Sequence, residues 1–237
     1  MPATVDIRRA DDRARTRIAW LDSHHSFSFG SHYEPDNTHH GLLLVNNDDI
    51  VAPAAGFDTH PHRDMEIVTW VLSGSLAHQD STGRSGVIYP GLAQRMSAGK
   101  GVLHSERNES DSEPVRFVQM WVVPDESGIE PDYQQHDVDL GAGLTPIASG
   151  RGDAAITIHN RSAALHGARM QAGDSIELPS APYLHLFVAR GEVTLEGAGA
   201  LFEGDAVRFT GSSGQRLTAT APAEVLVWEM HASLAAA

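Results

Sequence analysis

Two short stretches of the sequence each place two metal-binding side chains two positions apart. His60 and His62 form the first pair, and His104 and Glu106 form the second, after the glycine-rich turn 99–101. In an extended strand, residues i and i+2 point to the same face, so each pair can direct both side chains into one space. If the two strands face each other, three imidazoles and one carboxylate converge. That donor set suits a divalent first-row metal and leaves one or two positions for water, dioxygen or substrate.

The second pair is what makes the first one informative. Fourteen histidines in 237 residues predict roughly 0.8 His-x-His pairs by chance, so His60 and His62 alone are weak evidence. Pro61 lies between these two histidines and has no backbone donor, which is typical of an edge strand or a bulged segment. We therefore expect the first pair to lie at the edge of a sheet.

Composition and charge exclude several other kinds of function. The chain has no cysteine, which excludes disulfides, thiolate zinc sites, iron–sulfur clusters and cysteine nucleophiles. Its 17 basic and 31 acidic side chains give a net charge of −14, so we expect no direct binding to nucleic acids or to membrane surfaces. No stretch approaches the roughly 18 apolar residues of a membrane span. Residues 1–17 also lack the apolar core of a secretory signal, so we expect a cytoplasmic protein.

The elements that must position the four side chains are strands. Short β-branched or aromatic runs alternate with glycine, proline, serine and aspartate, which predicts an all-β protein with little helix. The runs cover residues 41–45, 67–72, 115–123, 156–159, 184–188, 193–195 and 225–230.

Three short blocks of the first half recur in the second half in the same order. Their offsets are 117, 113 and 107 residues, so the second copy is shorter. The matched blocks are 71–74 with 188–191, 91–96 with 204–209, and 118–121 with 225–228. Self-similarity of this kind indicates two domains built on one plan. We predict a first domain over 1–124, a linker over 125–152, a second domain over 153–231 and a fraying tail over 232–237.

The same offsets predict what the second domain carries in place of the candidate ligands. Glu177 and Pro179 fall opposite the first pair, and Leu217 and Ala219 fall opposite the second pair. These four side chains cannot hold a metal ion. We therefore expect one metal ion per chain and a structural role for the second domain.

The motifs around the two pairs resemble those of the pirin family, which belongs to the cupin superfamily. The resemblance runs from about residue 26 to residue 124 and is thin beyond residue 125. The motifs that carry it are His-Pro-His-Arg-Asp-Met-Glu at 60–66, Pro-Gly at 90–91, Met-Ser-Ala-Gly at 96–99 and Gly-Val-Leu-His-Ser-Glu at 101–106. It implies a bicupin of two tandem antiparallel β-sandwich or jelly-roll barrels, with His60, His62, His104 and Glu106 ligating one iron ion.

Several neighbouring residues receive other interpretations. The general cupin pattern has a glycine where this chain has Ala54, and it takes its acidic ligand from the first motif. Pirins take it from the second motif, so Glu66 is interpreted as a structural hydrogen-bond or ion-pair partner near the site. His78 is a candidate support for a ligand, but a solvated histidine at a strand end is the favoured interpretation. The pairs His24–His25 and His39–His40 are interpreted as loop residues, and Trp70 and Trp121 as core aromatics.

The resemblance also implies a reaction. Bacterial pirin-like proteins point to quercetin 2,3-dioxygenase activity on a flavonol or related small aromatic enol and O2, with Fe(II) as the expected ion. The ligand types do not separate iron from manganese, nickel, cobalt, copper or zinc. We expect Glu106 also to accept the substrate hydroxyl proton as a catalytic base. The alternative is an iron-binding redox sensor that acts through a protein partner, since the charge disfavours DNA. A third possibility is another cupin chemistry, such as an isomerase or a different dioxygenase. In each case we expect a monomer.

Overall fold

The computed structural model describes residues 4–211 and 214–234, and these form an almost purely β structure. Within those ranges the helical structure consists of one 3-10 turn, Ala10–Asp12. Up to residue 137 the strands are β1 (Thr4–Arg8), β2 (Ala14–Arg17), β3 (Leu21–His25), β4 (Leu43–Val51), β5 (Gly56–His62), β6 (Glu66–Ser73), β7 (Leu76–Asp80), β8 (Ser85–Ile88), β9 (Leu92–Ser97), β10 (Val102–Arg107), β11 (Val115–Val122) and β12 (Asp132–Asp137). From residue 145 onward they are β13 (Thr145–Ser149), β14 (Ile156–Thr157), β15 (Ala163–Met170), β16 (Ser175–Glu177), β17 (Tyr183–Arg190), β18 (Glu192–Leu195), β19 (Gly199–Phe202), β20 (Ala206–Thr210), β21 (Arg216–Ala219) and β22 (Ala223–Met230).

Each half of the molecule consists of a large and a small sheet. In the first half the orders are β12-β9-β6-β11-β4-β3-β2 and β5-β10-β7-β8. In the second half they are β1-β20-β17-β22-β15-β13-β14 and β16-β21-β18-β19. The run β9-β6-β11-β4 has the same order as β20-β17-β22-β15, and the small sheets match strand for strand. The predicted all-β architecture of two tandem antiparallel barrels is therefore confirmed.

The two large sheets pack against each other. Alternate residues of a strand face opposite sides, so β11 contributes to two separate apolar clusters. Val118 and Met120 of β11 join an apolar cluster that includes Phe187 and Leu226 of the second half. Phe117, the residue before Val118, points to the opposite side and belongs to a separate cluster inside the first half. Trp70 is fully buried, as expected for a core residue, and its Nε1 donates a hydrogen bond to Glu224 Oε1 across the interface at 2.7 Å.

The predicted linker, residues 125–152, contains strands that pair with both halves of the molecule. The stretch 125–152 contains β12, which pairs with β9 of the first half, and β13, which pairs with β15 of the second. Strand β1 pairs with β20, so the amino-terminal strand belongs to the second half's large sheet. β12 is a polar edge strand without hydrophobic alternation, so the sequence pattern does not reveal it. The boundaries at residues 124 and 152 stay a prediction.

The carboxyl end is held in place as far as it is described. Residues 235–237 of the predicted fraying tail lie outside the described residues. Before them, Leu234 packs against the large apolar cluster, and its backbone N–H donates to the carbonyl of Gly41 at 3.1 Å. In the described ranges no helix has the length and apolar character needed to cross a membrane.

Candidate metal centre and adjoining pocket

Strands β5 and β10 bring three histidines together. The strands pair antiparallel with His60 opposite His104 and His62 opposite Val102, and β5 is the edge of the small sheet, as Pro61 predicts. Ring centroids lie 4.4 Å apart for His60 and His104 and 4.9 Å apart for His62 and His104. One nitrogen from each of the three rings lies within 4.8 Å of the other two. This spacing is that of donors surrounding one ion.

The hydrogen bonds of these histidines leave the converging nitrogens free. His60 Nδ1 donates to the carbonyl of Asp58 at 2.7 Å, which leaves the lone pair on Nε2. Among the described residues, the buried Nε2 atoms of His62 and His104 have no hydrogen-bond partner. Burial lowers the pKa of His62 to about 4 and that of His104 to about 2, so both rings are neutral at pH 7. Neutral imidazoles with unpartnered nitrogens fit a metal ion.

Glu106 lies beside this group rather than within it. A register shift between His104 and Glu106 places the glutamate opposite Phe57 of β5. One oxygen of its carboxylate and one ring nitrogen each of His104 and His78 lie within 4.8 Å of one another. The group formed by His60, His62 and His104 does not include Glu106. Gln119 Nε2 donates to both carboxylate oxygens at 3.0 Å, and burial raises the pKa of Glu106 to about 7. The four-ligand set therefore stays a prediction, with Glu106 close enough to His104 to complete it.

His78 is buried, so its interpretation as a solvated residue was wrong. It is 2% exposed, and its ring stacks on Tyr133 with centroids 4.8 Å apart. His78 Nε2 lies 3.4 Å from Asp80 Oδ2, and its Nδ1 lies 3.4 Å from His104 Nδ1. Because the carboxylate only accepts, His78 donates from Nε2 and accepts from His104, which leaves the lone pair of His104 on Nε2. The buried Leu76, two residues earlier on the same face, is the sequence signal for this burial.

A pocket of about 460 Å³ opens onto the histidines. His62 packs edge-on against Trp121 with centroids 4.8 Å apart, and Trp121 in turn contacts Phe29. Trp121 was predicted as a core residue, but it faces the pocket because it lies on the side of β11 that points between the two sheets. The pocket is lined by aromatic and polar side chains that include Trp20, Phe29, Phe57, Trp121, Ser23, His25, Asn47, Asp49, Gln119 and Glu106.

Comparison with known proteins decides the family. A Mycobacterium tuberculosis protein named "Putative quercetin 2,3-dioxygenase" is 67% identical over 239 residues, which cover 99% of this chain and 98% of that protein. The chain belongs to the pirin family. Residues 8–122 match the Pirin family itself, and residues 146–230 match the quercetinase C-terminal cupin domain. The family expected from the motifs is thus confirmed.

Two Escherichia coli proteins are similar to this chain: one is named for a dioxygenase activity, and the other is a pirin whose crystal structure contains a metal. The protein named "Quercetin 2,3-dioxygenase" is 34% identical over 231 residues, covering 95% of this chain and 98% of that protein. The crystal structure of bacterial pirin YhhW in complex with nickel(II) has a TM-score of 0.90 and 31% identity, covering 97% of this chain and all of that one. The chain is therefore similar over its whole length to a metal-binding pirin.

The second pirin domain has apolar side chains where the first has its candidate ligands. Leu217 of β21 lies opposite Ile176, as His104 lies opposite His60, and Leu178 takes the place of His62. The sequence offset had pointed instead to Glu177 and Pro179. A shift of one residue in a strand exchanges the two faces, and the buried face carries Ile176 and Leu178.

The side-chain groups among residues 4–211 and 214–234 that could hold a metal ion all lie in the first half of this pirin. The structural role assigned to Glu66 is consistent with its contacts: Oε2 accepts hydrogen bonds from Ser97 Oγ at 2.9 Å and from the backbone N–H of His159 at 3.0 Å. His25 is not a loop residue, because it ends β3 and is 3% exposed in the pocket wall. Gln119 and His25 were missed by the sequence interpretation. The alternation of buried residues along β3 and β11 was the signal that could have found them.

Proposed function

We propose that the protein is a metal-dependent dioxygenase that cleaves a flavonol or a related aromatic enol with O2. The observation that supports this most directly is the convergence of three histidine nitrogens within 4.8 Å at one wall of an aromatic pocket. Relatives named quercetin 2,3-dioxygenase along the full chain length support the same reaction.

The pocket suits a flat aromatic molecule. Its volume of about 460 Å³ is within the usual range for small-molecule sites, about 300–1,000 Å³. Trp20 and Phe57 meet edge to face with centroids 5.1 Å apart on one side, and Phe29 and Trp121 do so at 5.6 Å. Aromatic rings on two sides orient a planar ring system and exclude water from the histidines.

A divalent first-row ion bound by His60, His62, His104 and Glu106 would supply Lewis acidity and redox chemistry toward the substrate hydroxyl and O2. The protein's own part is to hold the substrate and move its proton. Glu106 is the base, because it is the one carboxylate among the proposed ligands and lies in the pocket wall beside the histidines. Trp121 Nε1 donates to Gln119 Oε1 at 3.1 Å, which turns the Gln119 amide N–H toward Glu106 and fixes the carboxylate.

In the proposed reaction the flavonol loses its hydroxyl proton to Glu106. Both atoms of O2 then enter the product, the heterocycle opens, and the carbon between the two new oxygen-bearing positions leaves as carbon monoxide. The atoms balance without a further reductant: flavonol and O2 give one ester of a phenolic acid and one carbon monoxide. Glu106 returns the proton to the product.

The test combines metal analysis with oxygen consumption. Purified protein is reconstituted separately with iron(II), manganese, nickel, cobalt, copper and zinc, and each form is assayed for O2 uptake and carbon monoxide release with a panel of flavonols. We expect stoichiometric O2 uptake and carbon monoxide release with at least one metal. Metal binding without O2 uptake for any flavonol would contradict the dioxygenase proposal. It would favour the redox-sensing alternative, in which the site acts through a protein partner.

A further inference from the structure

The pocket wall opposite the histidines contains a polar stripe on the large sheet. Ser23 and His25 of β3 and Asn47 and Asp49 of β4 are buried and point into the space between the two sheets. His25 Nδ1 donates to Asn47 Oδ1 at 3.0 Å, and its Nε2 lies 2.8 Å from Thr16 Oγ1. Both ring nitrogens of His25 and the Oδ1 atom of Asn47 are therefore occupied by bonds within the wall.

Asp49 differs from these neighbours because part of its carboxylate is unoccupied. It is 4% exposed, and within the described ranges its Oδ1 has no hydrogen-bond partner. Ser23 donates to the carboxyl group, while Asp48 and Glu106 add repulsive negative charge. A buried carboxyl with an unpartnered oxygen destabilises a fold, since burial of a polar group costs free energy unless it is hydrogen-bonded.

The adjacent Asp48 shows what a structural carboxylate looks like on the same strand. It points to the other face of β4, where Arg116 contacts both of its oxygens at 3.0 and 2.8 Å. Among the described residues no cation contacts the Asp49 carboxylate, although the charge of Arg13 acts on it from a greater distance, and Asp49 lies in the wall of the pocket. The unpartnered oxygen is therefore explained better by a molecule in the pocket than by the packing of the sheet.

Asp49 and the histidines lie on opposite walls of one pocket. Asp49 is paired with Ser23 and Phe117 in the large sheet, whereas His60 and His104 belong to the small sheet. A planar substrate whose enol oxygen lies at the histidines extends across the space between the sheets. A polar group elsewhere on that substrate then reaches the Asp49 carboxyl group in the opposite wall.

We propose that Asp49 is a specificity-determining residue that accepts a hydrogen bond from a second hydroxyl group of the substrate. This inference rests on the proposed function and narrows the substrate class to polyhydroxylated aromatic enols. A hydroxyl fits better than an ammonium group, because an ammonium has three donors to satisfy and Asn47 Oδ1 is already bonded to His25. Selection for a donor of this kind is strong, since a substrate lacking it leaves the buried oxygen unpaired.

The test measures binding without turnover. The full chain, loaded with the metal it purifies with, is titrated without O2 against quercetin and against 3-hydroxyflavone, which keeps the enol and lacks the other hydroxyls. We expect wild type to prefer quercetin and Asp49→Leu, which has no acceptor, to reduce that preference by about 10- to 100-fold. Asp49→Asn keeps an amide oxygen that can accept, so we expect a smaller reduction. Asp48→Asn, on the opposite face of β4, is the matched control and keeps the wild-type preference.

Two further readouts separate recognition from folding and from catalysis. Metal content and unfolding temperature of the Asp49 variants should not fall below wild type, because losing the bond from Ser23 is offset by removing a buried oxygen that has no partner among the described residues. An unchanged quercetin preference in both Asp49 variants would overturn the inference, as would no wild-type preference. An Asp49-dependent preference in a protein that consumes no O2 would leave this inference intact and remove the dioxygenase proposal. O2 consumption together with a quercetin preference that the Asp49 variants keep would overturn this inference and leave the dioxygenase proposal intact.

Discussion

The two barrels share one strand order and differ in what fills them. In the second barrel, Ile176, Leu178 and Leu217 pack into a continuous apolar cluster. In the first barrel, the equivalent positions carry His60, His62 and His104, and a pocket of about 460 Å³ remains beside them. The same strand arrangement therefore encloses either a packed apolar core or a pocket with a candidate metal centre, depending on a few inward-facing side chains.

The two tryptophans near the ends of the repeats show the same difference. Trp228 is 1% exposed and contributes to the apolar cluster between the halves. Trp121, its counterpart in the repeat, is half-buried, faces the pocket and bonds to Gln119. Inward polar groups such as Glu106 and Asp49 lower the stability of the first barrel, and the shared apolar interface with the second barrel offsets that loss.

The largest expected effect separates the two halves by metal content. His104→Ala removes a central nitrogen of the histidine group, so we expect bound metal to fall from about one ion per chain to about none. His136→Ala, at an exposed histidine of β12, is the control and keeps the ion. The measurement is metal content after gel filtration in the presence of a weak chelator. A second tightly bound ion in wild type would contradict the assignment of the site to one barrel.

The equivalent position in the second barrel should matter for stability instead. Leu217→Ala leaves a cavity in a packed core, and we expect the free energy of unfolding to fall by about 2–5 kcal/mol. In the metal-free protein, His104→Ala should cost less than about 1 kcal/mol, because the lost bond to His78 is long and the variant also removes a buried nitrogen without a partner among the described residues. Urea unfolding with chelator present measures both. Equal losses for the two variants would show that the barrels are packed alike.

Glu106→Gln sharpens the comparison within the first barrel by separating ligation from proton transfer. The amide oxygen can still face the metal but cannot accept the substrate proton. We expect weakened metal occupancy and, at matched occupancy, a turnover lower by about a hundredfold or more. The measurement is the rate per bound metal with saturating flavonol. Turnover within a few-fold of wild type would leave Glu106 as a ligand only, and His78 would be the next candidate base.

The smallest expected effect concerns a buried histidine of the second half. His185 is fully buried, and within the described chain neither ring nitrogen has a partner; Arg208, His40 and Arg13 lie nearby. Burial, and after it the positive charges of Arg208 and Arg13, lower the pKa of His185 well below its usual value. The unfolded chain therefore takes up a proton below about pH 6.5 that the folded chain does not. Stability is fully present above that pH and lost as the pH falls, by about 1.4 kcal/mol at pH 5.5.

His185→Leu isolates this contribution. In metal-free protein, the other histidines contribute equally to wild type and variant. We expect the free energy of unfolding of the variant to fall less between pH 7.5 and 5.5, by about 1 kcal/mol. Parallel curves of unfolding free energy against pH would mean that His185 takes up a proton in the folded state as readily as in the unfolded chain.

The local pattern of the sequence determined much of this protein. The dense turn residues and short apolar runs determined an all-β fold, and the pairs His60–His62 and His104–Glu106 determined which side chains share a strand face. Both depend on the two-residue period of a strand, which is a property of neighbouring residues. The repeat likewise predicted that the second half has no ligands.

Only the tertiary structure decided which faces meet. It placed Glu106 beside His78, turned Trp121 into a pocket, left Asp49 Oδ1 without a partner among the described residues, and put Ile176 rather than Glu177 opposite Leu217. It also paired β1 with β20 and β12 with β9 across the predicted boundaries. These features depend on strand register and on contacts between distant segments. A shift of one residue reverses every side chain of a strand, and the local sequence pattern leaves that register open.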